Sequence, residues 1–154
     1  MKIVPTRRTD YALRALIYLA GRPSDRVNAA EIAGEMDIPT PILHQVLAEL
    51  QRANLVSSQS GPKGGYRLAR DPEGLPLLEI VEALEGSVHL DECALKGGPC
   101  HWEDVCAIHG VWTEAREAFA ASLASHTLGE VAEVDRGLRL GQVEVPANSH
   151  RQRE

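Results

Sequence analysis

The chain has 154 residues, with one Phe, two Trp and three Tyr, and a formal net charge of −6. That length supports one domain of ordinary size with an appended element, whose core must be built from Leu, Ile, Val and Ala. Three cysteines are too few for a disulfide scaffold, and no run is long or apolar enough to span a bilayer, so a reducing, cytoplasmic setting is expected.

The first 21 residues superficially resemble a signal peptide. Asp10 and Arg14 interrupt the apolar run, however, and leave amphipathic spacing instead. Tyr11, Ala12, Ala15, Leu16 and Leu19 fall at helical spacing and predict a first helix over residues 7 to 20, with Arg7, Arg8 and Arg14 off the stripe. Asn28 followed by Glu31 is an N-cap pattern that opens a short helix through Met36, burying Ile32, Ala33 and Met36. Asp37, Ile38 and Pro39 break it. Thr40 is then expected to cap a further helix with Pro41 at its first position, and Ile42, Leu43, Val46, Leu47 and Leu50 supply the core stripe. Two short helices joined by a tight turn make a helix-turn-helix.

Residues 55 to 59 and 66 to 70 fit short strands, and the intervening Ser60-Gly61-Pro62-Lys63-Gly64-Gly65 is a hairpin turn with a basic tip. A hairpin in that place is a wing. In winged helix-turn-helix proteins the second helix of the pair enters the major groove, and a basic hairpin reaches the backbone or minor groove beside it. The candidate DNA-reading positions are Thr40, His44 and Gln45, which point away from the core stripe, with Lys63 and Arg67 on the wing; Gln45 has the chemistry for a bidentate contact to adenine. Charge agrees with this division. Residues 1 to 70 carry ten Lys/Arg against six Asp/Glu, net +4, and residues 71 to 154 carry six against sixteen, net −10. The bland reading of Lys63, Arg67 and Arg70 is a solvated basic surface.

Cys93, Cys100 and Cys106 are packed into fourteen residues that also hold two glycines, a proline and His101. Thiolates are the ligands that zinc and iron-sulfur clusters select, and an odd count argues against a structural disulfide. A metal or cluster site is expected there, with a thiol redox switch as the alternative. Beyond it, Val111, Trp112, Ala115, Ala118, Phe119 and Leu123 form a helical stripe suited to packing against a second copy, since a short helix-turn-helix protein needs two copies to read two half-sites. Thr127 with Glu130 caps a small helix through about Ala132, and beyond Arg136 the sequence is polar and aperiodic. No phosphate-binding glycine loop, paired-carboxylate site or nucleophile elbow is present.

Three segments together resemble a known family. Residues 8 to 18 (RTDYALRALIY), the wing Gly61-Pro62-Lys63-Gly64-Gly65-Tyr66 and residues 77 to 86 (LLEIVEALEG) are similar to the iron-sulfur winged-helix transcription regulators of the IscR/NsrR type, over roughly residues 1 to 133. The resemblance implies a mainly α fold with a small β-hairpin: a winged helix-turn-helix domain plus a long dimerisation helix. Its expected parts are a DNA-binding domain over 1–86, a cluster-binding loop over 87–106, dimerisation and short C-terminal helices over 107–135, and a disordered tail over 136–154.

It also implies a homodimer on a double-stranded DNA operator, no enzymatic turnover, and control, as a repressor, by an iron-sulfur cluster (2Fe-2S or 4Fe-4S) that senses nitric oxide, redox state or iron-sulfur supply. The cluster's ligands would be Cys93, Cys100 and Cys106. The fourth would be His109, three residues after the last cysteine, or Asp10, from the first helix of the partner subunit; His101 is a distant third. Family members commonly leave five residues in each gap between cysteines, whereas here the gaps hold six and five. A structural zinc and a metal-free cysteine switch remain alternatives; a cluster enzyme is the remote third.

Overall fold

The computed structural model describes residues 5–87, 93, 98, 102 and 105–142. Six helices and one hairpin follow in the order α1 (Arg7–Ala20), α2 (Ala29–Glu35), α3 (Thr40–Arg52), β1 (Val56–Gln59), β2 (Gly65–Leu68), α4 (Leu77–Glu85), α5 (His109–Ala124) and α6 (Leu128–Arg139). The architecture is mainly helical with one two-stranded antiparallel hairpin, as expected.

Helix α1 is the central post. It is capped by Thr6, whose hydroxyl accepts from the Thr9 N–H, and it buries Ala12, Ala15, Leu16 and Leu19 against α3, α4, α6 and β2. Leu43, Val46, Leu47 and Leu50 of α3 and Ile32, Ala33 and Met36 of α2 close the same core, which Leu55, Leu75, Ile80 and Leu128 complete. Trimming a fully buried leucine such as Leu47 to alanine costs about 2–5 kcal/mol in such a setting.

Helices α2 and α3 end in the same way. Asp37 (φ 51°) and Asn54 (φ 58°) both turn left-handed just past the helix. The next residue's N–H then reaches back across the last turn, Ile38 to the Ala33 carbonyl and Leu55 to the Leu50 carbonyl, each at 2.9 Å. Ile38 and Leu55 are themselves buried, so each helix stop is also a core contact. Aspartate and asparagine tolerate the left-handed region better than other non-glycine residues, which is why these turns need no glycine.

Three expectations are corrected. Thr40 does not cap α3: it is the first helical residue, Pro39 is the cap residue without a side-chain bond, and Pro41 sits one place further in. Ile42 is 37% exposed, because Leu43, Val46, Leu47 and Leu50 already occupy the inward stripe and Ile42 falls at its edge. Helix α6 is longer than expected. It opens with the anticipated capping box of Thr127 and Glu130 but continues past Ala132 to Arg139, held by an i,i+4 ion pair of Arg139 with Asp135 at 2.7 Å.

Arg139 also docks this last turn on the helix-turn-helix. It pairs with Glu35 at 3.2 Å and stacks on the Tyr18 ring at 5.2 Å, whose other neighbour is Arg22 at 3.8 Å. Residues 136 to 139 are therefore anchored helix, whereas 143 to 154 lie outside the described residues. A short antiparallel bridge between Pro76 and Thr127 ties the entry of α4 to the entry of α6, with Leu77 N–H to His126 O at 2.9 Å and Leu128 N–H to Leu75 O at 2.8 Å.

Candidate nucleic-acid interface and cysteine segment

The inward stripe of α3 fixes what its other face shows. Thr40, Pro41, His44, Gln45 and Ala48 are all exposed on the first three turns, so the three residues picked out as DNA readers share one open surface. In the wing, β1 and β2 pair in the register Val56↔Leu68, Ser57↔Arg67, Ser58↔Tyr66 and Gln59↔Gly65. The tip closes through Gly64 N–H to Gly61 O at 2.9 Å, and Gly61 has φ 107°, a conformation that favours glycine. Lys63 at the tip and Arg67 on β2 are exposed. Arg70, by contrast, forms an ion pair with Glu79 of α4, which holds it to the body.

The root of the cysteine segment is anchored to the same body. Helix α4 ends at Gly86 (φ 93°), and the preceding Glu85 accepts hydrogen bonds from the Thr6 N–H at 2.9 Å, the Thr6 hydroxyl at 2.7 Å and the Thr9 hydroxyl. These donors, Thr9 first, hold its carboxyl below the usual carboxylate range. Arg8 joins the same region to α3, donating to the Leu84 carbonyl at 3.1 Å and pairing with Glu49 at 3.3 Å.

Of the expected ligands, Cys93 and Cys106 are half-buried. Cys93 N–H donates to Gly98 O at 2.7 Å, and Cys106 O accepts from His109 N–H at 3.2 Å, so His109 opens α5 one turn after Cys106. Cys100 and His101 lie outside the described residues. Within the chain both oxygens of Asp10 face Arg14, Oδ1 at 3.1 Å from Nε and Oδ2 at 2.9 Å from Nη2. Arg14 in turn donates to the Met36 carbonyl at the end of α2 at 3.4 Å. Among the described residues no three His, Cys, Asp or Glu side chains are grouped closely enough to hold a metal.

Helix α5 buries none of its side chains within the chain. Val111 is 66% exposed and Phe119 40%, and Trp112 and Leu123 are half-buried. Its apolar stripe is thus open at Val111 and Phe119 and partly covered at Trp112 and Leu123. No helix among the described residues is long and apolar enough to cross a membrane.

Two features escaped the sequence reading. The bond set around Glu85 joins residues 79 positions apart, a pairing that no local pattern encodes. Arg26, in the connection between α1 and α2, lies beside the wing, where Nη1 donates to Gly65 O at 3.3 Å. The only local signal for it was an arginine two residues before a capping asparagine.

Comparison with known proteins places this geometry. A family model described as Rrf2, iron-dependent transcriptional regulator, matches residues 5–134. The HTH-type transcriptional regulator IscR of Klebsiella pneumoniae (strain 342) is 33% identical over 127 residues, covering 82% of this chain and 77% of that protein. The IscR of Escherichia coli O1:K1 / APEC is 32% identical over the same length, with 82% and 78% covered. Among solved structures, the B. subtilis global cysteine regulator CymR superposes with a TM-score of 0.71 at 26% identity, over 86% of this chain and 98% of its own. T. potens IscR gives 0.68 at 26% over 95% and 94%, and the oxidized form of Staphylococcus aureus CymR gives 0.67 at 29% over 86% and 97%.

Proposed function

The chain belongs to the Rrf2 family of iron-dependent transcriptional regulators, and from that premise we propose that it is a homodimeric, cluster-controlled repressor that binds a double-stranded DNA operator. It is a DNA-binding regulator of the IscR-like type, from a family of regulators and not of enzymes. The observation that carries the DNA reading is the open face of α3, with Thr40, His44 and Gln45 beside a wing that offers Lys63 and Arg67. Gln45 and His44 read base edges in the major groove, Thr40 and the wing cations hold phosphates, and two copies span two half-sites. The exposed part of the α5 stripe, with Val111 and Phe119, supports the second copy.

Cys93, Cys100 and Cys106 would hold the iron-sulfur cluster, which supplies a redox- and nitric-oxide-sensitive group at the mouth of α5. The donor chemistry fits: two half-buried thiols flank a glycine-containing segment, and His109 follows Cys106 by one turn. His109 and Asp10 are the two candidates for the fourth ligand, and Asp10 is engaged on both oxygens by Arg14. Recruiting Asp10 would release Arg14 from the carboxylate. Loss of the cluster shifts operator binding because the cysteine segment is rooted at Glu85, where α4 meets α1, and runs directly into α5.

The test is anaerobic purification with iron, sulfide and zinc analysis and an absorption spectrum, followed by binding to an operator selected from random duplexes, with and without the cluster. Iron and sulfide in equal amounts and an operator affinity that changes on cluster removal are expected. A colourless zinc protein, or equal affinity in the two states, refutes the cluster control. A metal-free thiol switch is the second reading, motivated by the likeness to a CymR solved in an oxidized form. Its signature is a two-proton mass loss on oxidation without bound metal.

A further inference from the structure

The connection between α1 and α2 and the wing form one unit. Val27 and Tyr66 exchange both backbone hydrogen bonds, Val27 N–H to Tyr66 O at 2.9 Å and Tyr66 N–H to Val27 O at 2.8 Å, so Val27 acts as a one-residue third strand alongside β2. The approach depends on Gly65. Its φ is 138°, and a Cβ there would lie 2.7 Å from the Val27 carbonyl oxygen. The neighbouring Arg26 is fixed against the wing by its bond to Gly65 O. Between the two segments runs an open cleft of about 850 Å3, lined among others by Asn28, Gln59, Arg26, Lys63 and Arg67.

Charge singles this cleft out. Arg8, Arg14, Arg70, Arg136 and Arg139 each have a carboxylate partner. Among the described residues Arg26, Lys63 and Arg67 have none, as is also true of Arg7, Arg22 and Arg52, but Arg26, Lys63 and Arg67 are gathered in one cleft, where Asp25 is the one acidic lining residue. Three cations against one anion leave a formal +2 in the lining. The remaining lining is rich in serine hydroxyls, the Asn28 and Gln59 amides and glycine backbone, the groups that donate to phosphate oxygens.

We infer that this cleft seats the sugar-phosphate backbone of the bound duplex, and that Arg26 is a third phosphate contact beside Lys63 and Arg67. The inference rests on the DNA-binding reading above. Arg26 lies outside both the recognition helix and the hairpin, but the Val27–Tyr66 bridge brings it to the wing's side. With Nη1 on the Gly65 carbonyl, the guanidinium is oriented before DNA arrives and keeps further N–H donors for a phosphate. Phosphate contacts carry no sequence information, so Arg26 sets affinity and register without choosing the operator.

The experiment measures binding as a function of salt for the full chain and its Arg26→Ala, Arg26→Lys and Arg22→Ala variants. Two duplexes of roughly 30 base pairs are used, long enough for two half-sites: one selected by the wild-type protein from a random pool and one of unrelated mixed sequence. Circular dichroism confirms that each variant is folded. Arg26→Ala is expected to reduce the log–log salt slope by about one unit and to weaken both duplexes by the same factor. Arg26→Lys should keep the slope. Arg22→Ala, which removes a cation stacked on Tyr18 outside the cleft, should leave it unchanged. An unchanged slope in Arg26→Ala, or a loss confined to the selected duplex, overturns the inference while leaving DNA binding intact. If the wild-type chain binds neither duplex, the DNA reading itself fails. Inorganic phosphate, titrated at fixed ionic strength, separates a small-anion site from a backbone seat: thermal protection that needs Arg26, with duplex binding indifferent to it, also overturns the inference.

Discussion

Glu85 gathers three donors from the start of α1 and so completes the cap that Thr6 begins. It is exposed, and solvent screens what those bonds contribute. Glu85→Gln is therefore expected to lower stability at neutral pH by only about 1 kcal/mol, measured by urea unfolding. The sign with pH follows from the lowered carboxyl: its contribution is present above the unfolded-state value and is lost as pH falls through the folded one. The gap between wild type and variant should thus close in acid.

Tyr18 behaves in the opposite sense. Burial, and then the hydrogen bond it donates to Glu31 at 2.9 Å, push its hydroxyl up to about 12. Its contribution is complete below the unfolded value near 10 and declines as pH rises toward 12. An ultraviolet titration should show one of the three tyrosines ionising last, and Tyr18→Phe should remove that late step.

At the scale of elements, the stop of α2 makes the turn into α3 and the stop of α3 makes the turn into the wing. Asn54→Ala removes the short polar side chain that eases the left-handed conformation and should cost about 1 kcal/mol by thermal unfolding, where an Ala at exposed Arg52 changes little. Helix α5 presents a different case: Phe119→Glu puts a charge in the exposed part of its stripe and, under the proposed dimer, is expected to give a monomer by sedimentation with unchanged helicity. A variant that still sediments as a dimer would place the interface elsewhere.

The helices and hairpin were legible in the sequence because each advertises itself locally, through the Asn28 and Thr127 caps, the period of α1 and the glycines of the wing. What was not legible depends on partners distant in the chain. The final turn of α6 looked polar and aperiodic, yet Arg139 is held by Glu35, 104 positions away. Arg70 read as a wing cation, and Glu79 claims it. Asp10 is a similar case: the sequence offered it as a fourth ligand supplied to the partner subunit, and within the chain the fold pairs it with Arg14.

For the whole molecule, net charge misdescribes the partner. A chain at −6 should be repelled by DNA, but the +4 of residues 1 to 70 includes the unpaired cations of the wing cleft, and screening confines the −10 of the remainder to its own surroundings. Affinity for duplex should accordingly fall steeply with salt despite the acidic composition. Cys106→Ala should abolish any visible cluster absorption while leaving the helical signal in place, since that residue lies outside the buried core.

The bridge of Pro76 to Thr127 bears on the family's cysteine spacing. The polypeptide departs for α4 and returns for α6 through a single gateway, so everything between is an excursion with both feet on the same stone. Lengthening it by one residue alters the closure entropy by only about 1.5RT times the logarithm of the length ratio, a few hundredths of a kcal/mol for an excursion of this size. The sixth residue between Cys93 and Cys100 thus adds almost nothing to the cost of bringing the entries of α4 and α6 together.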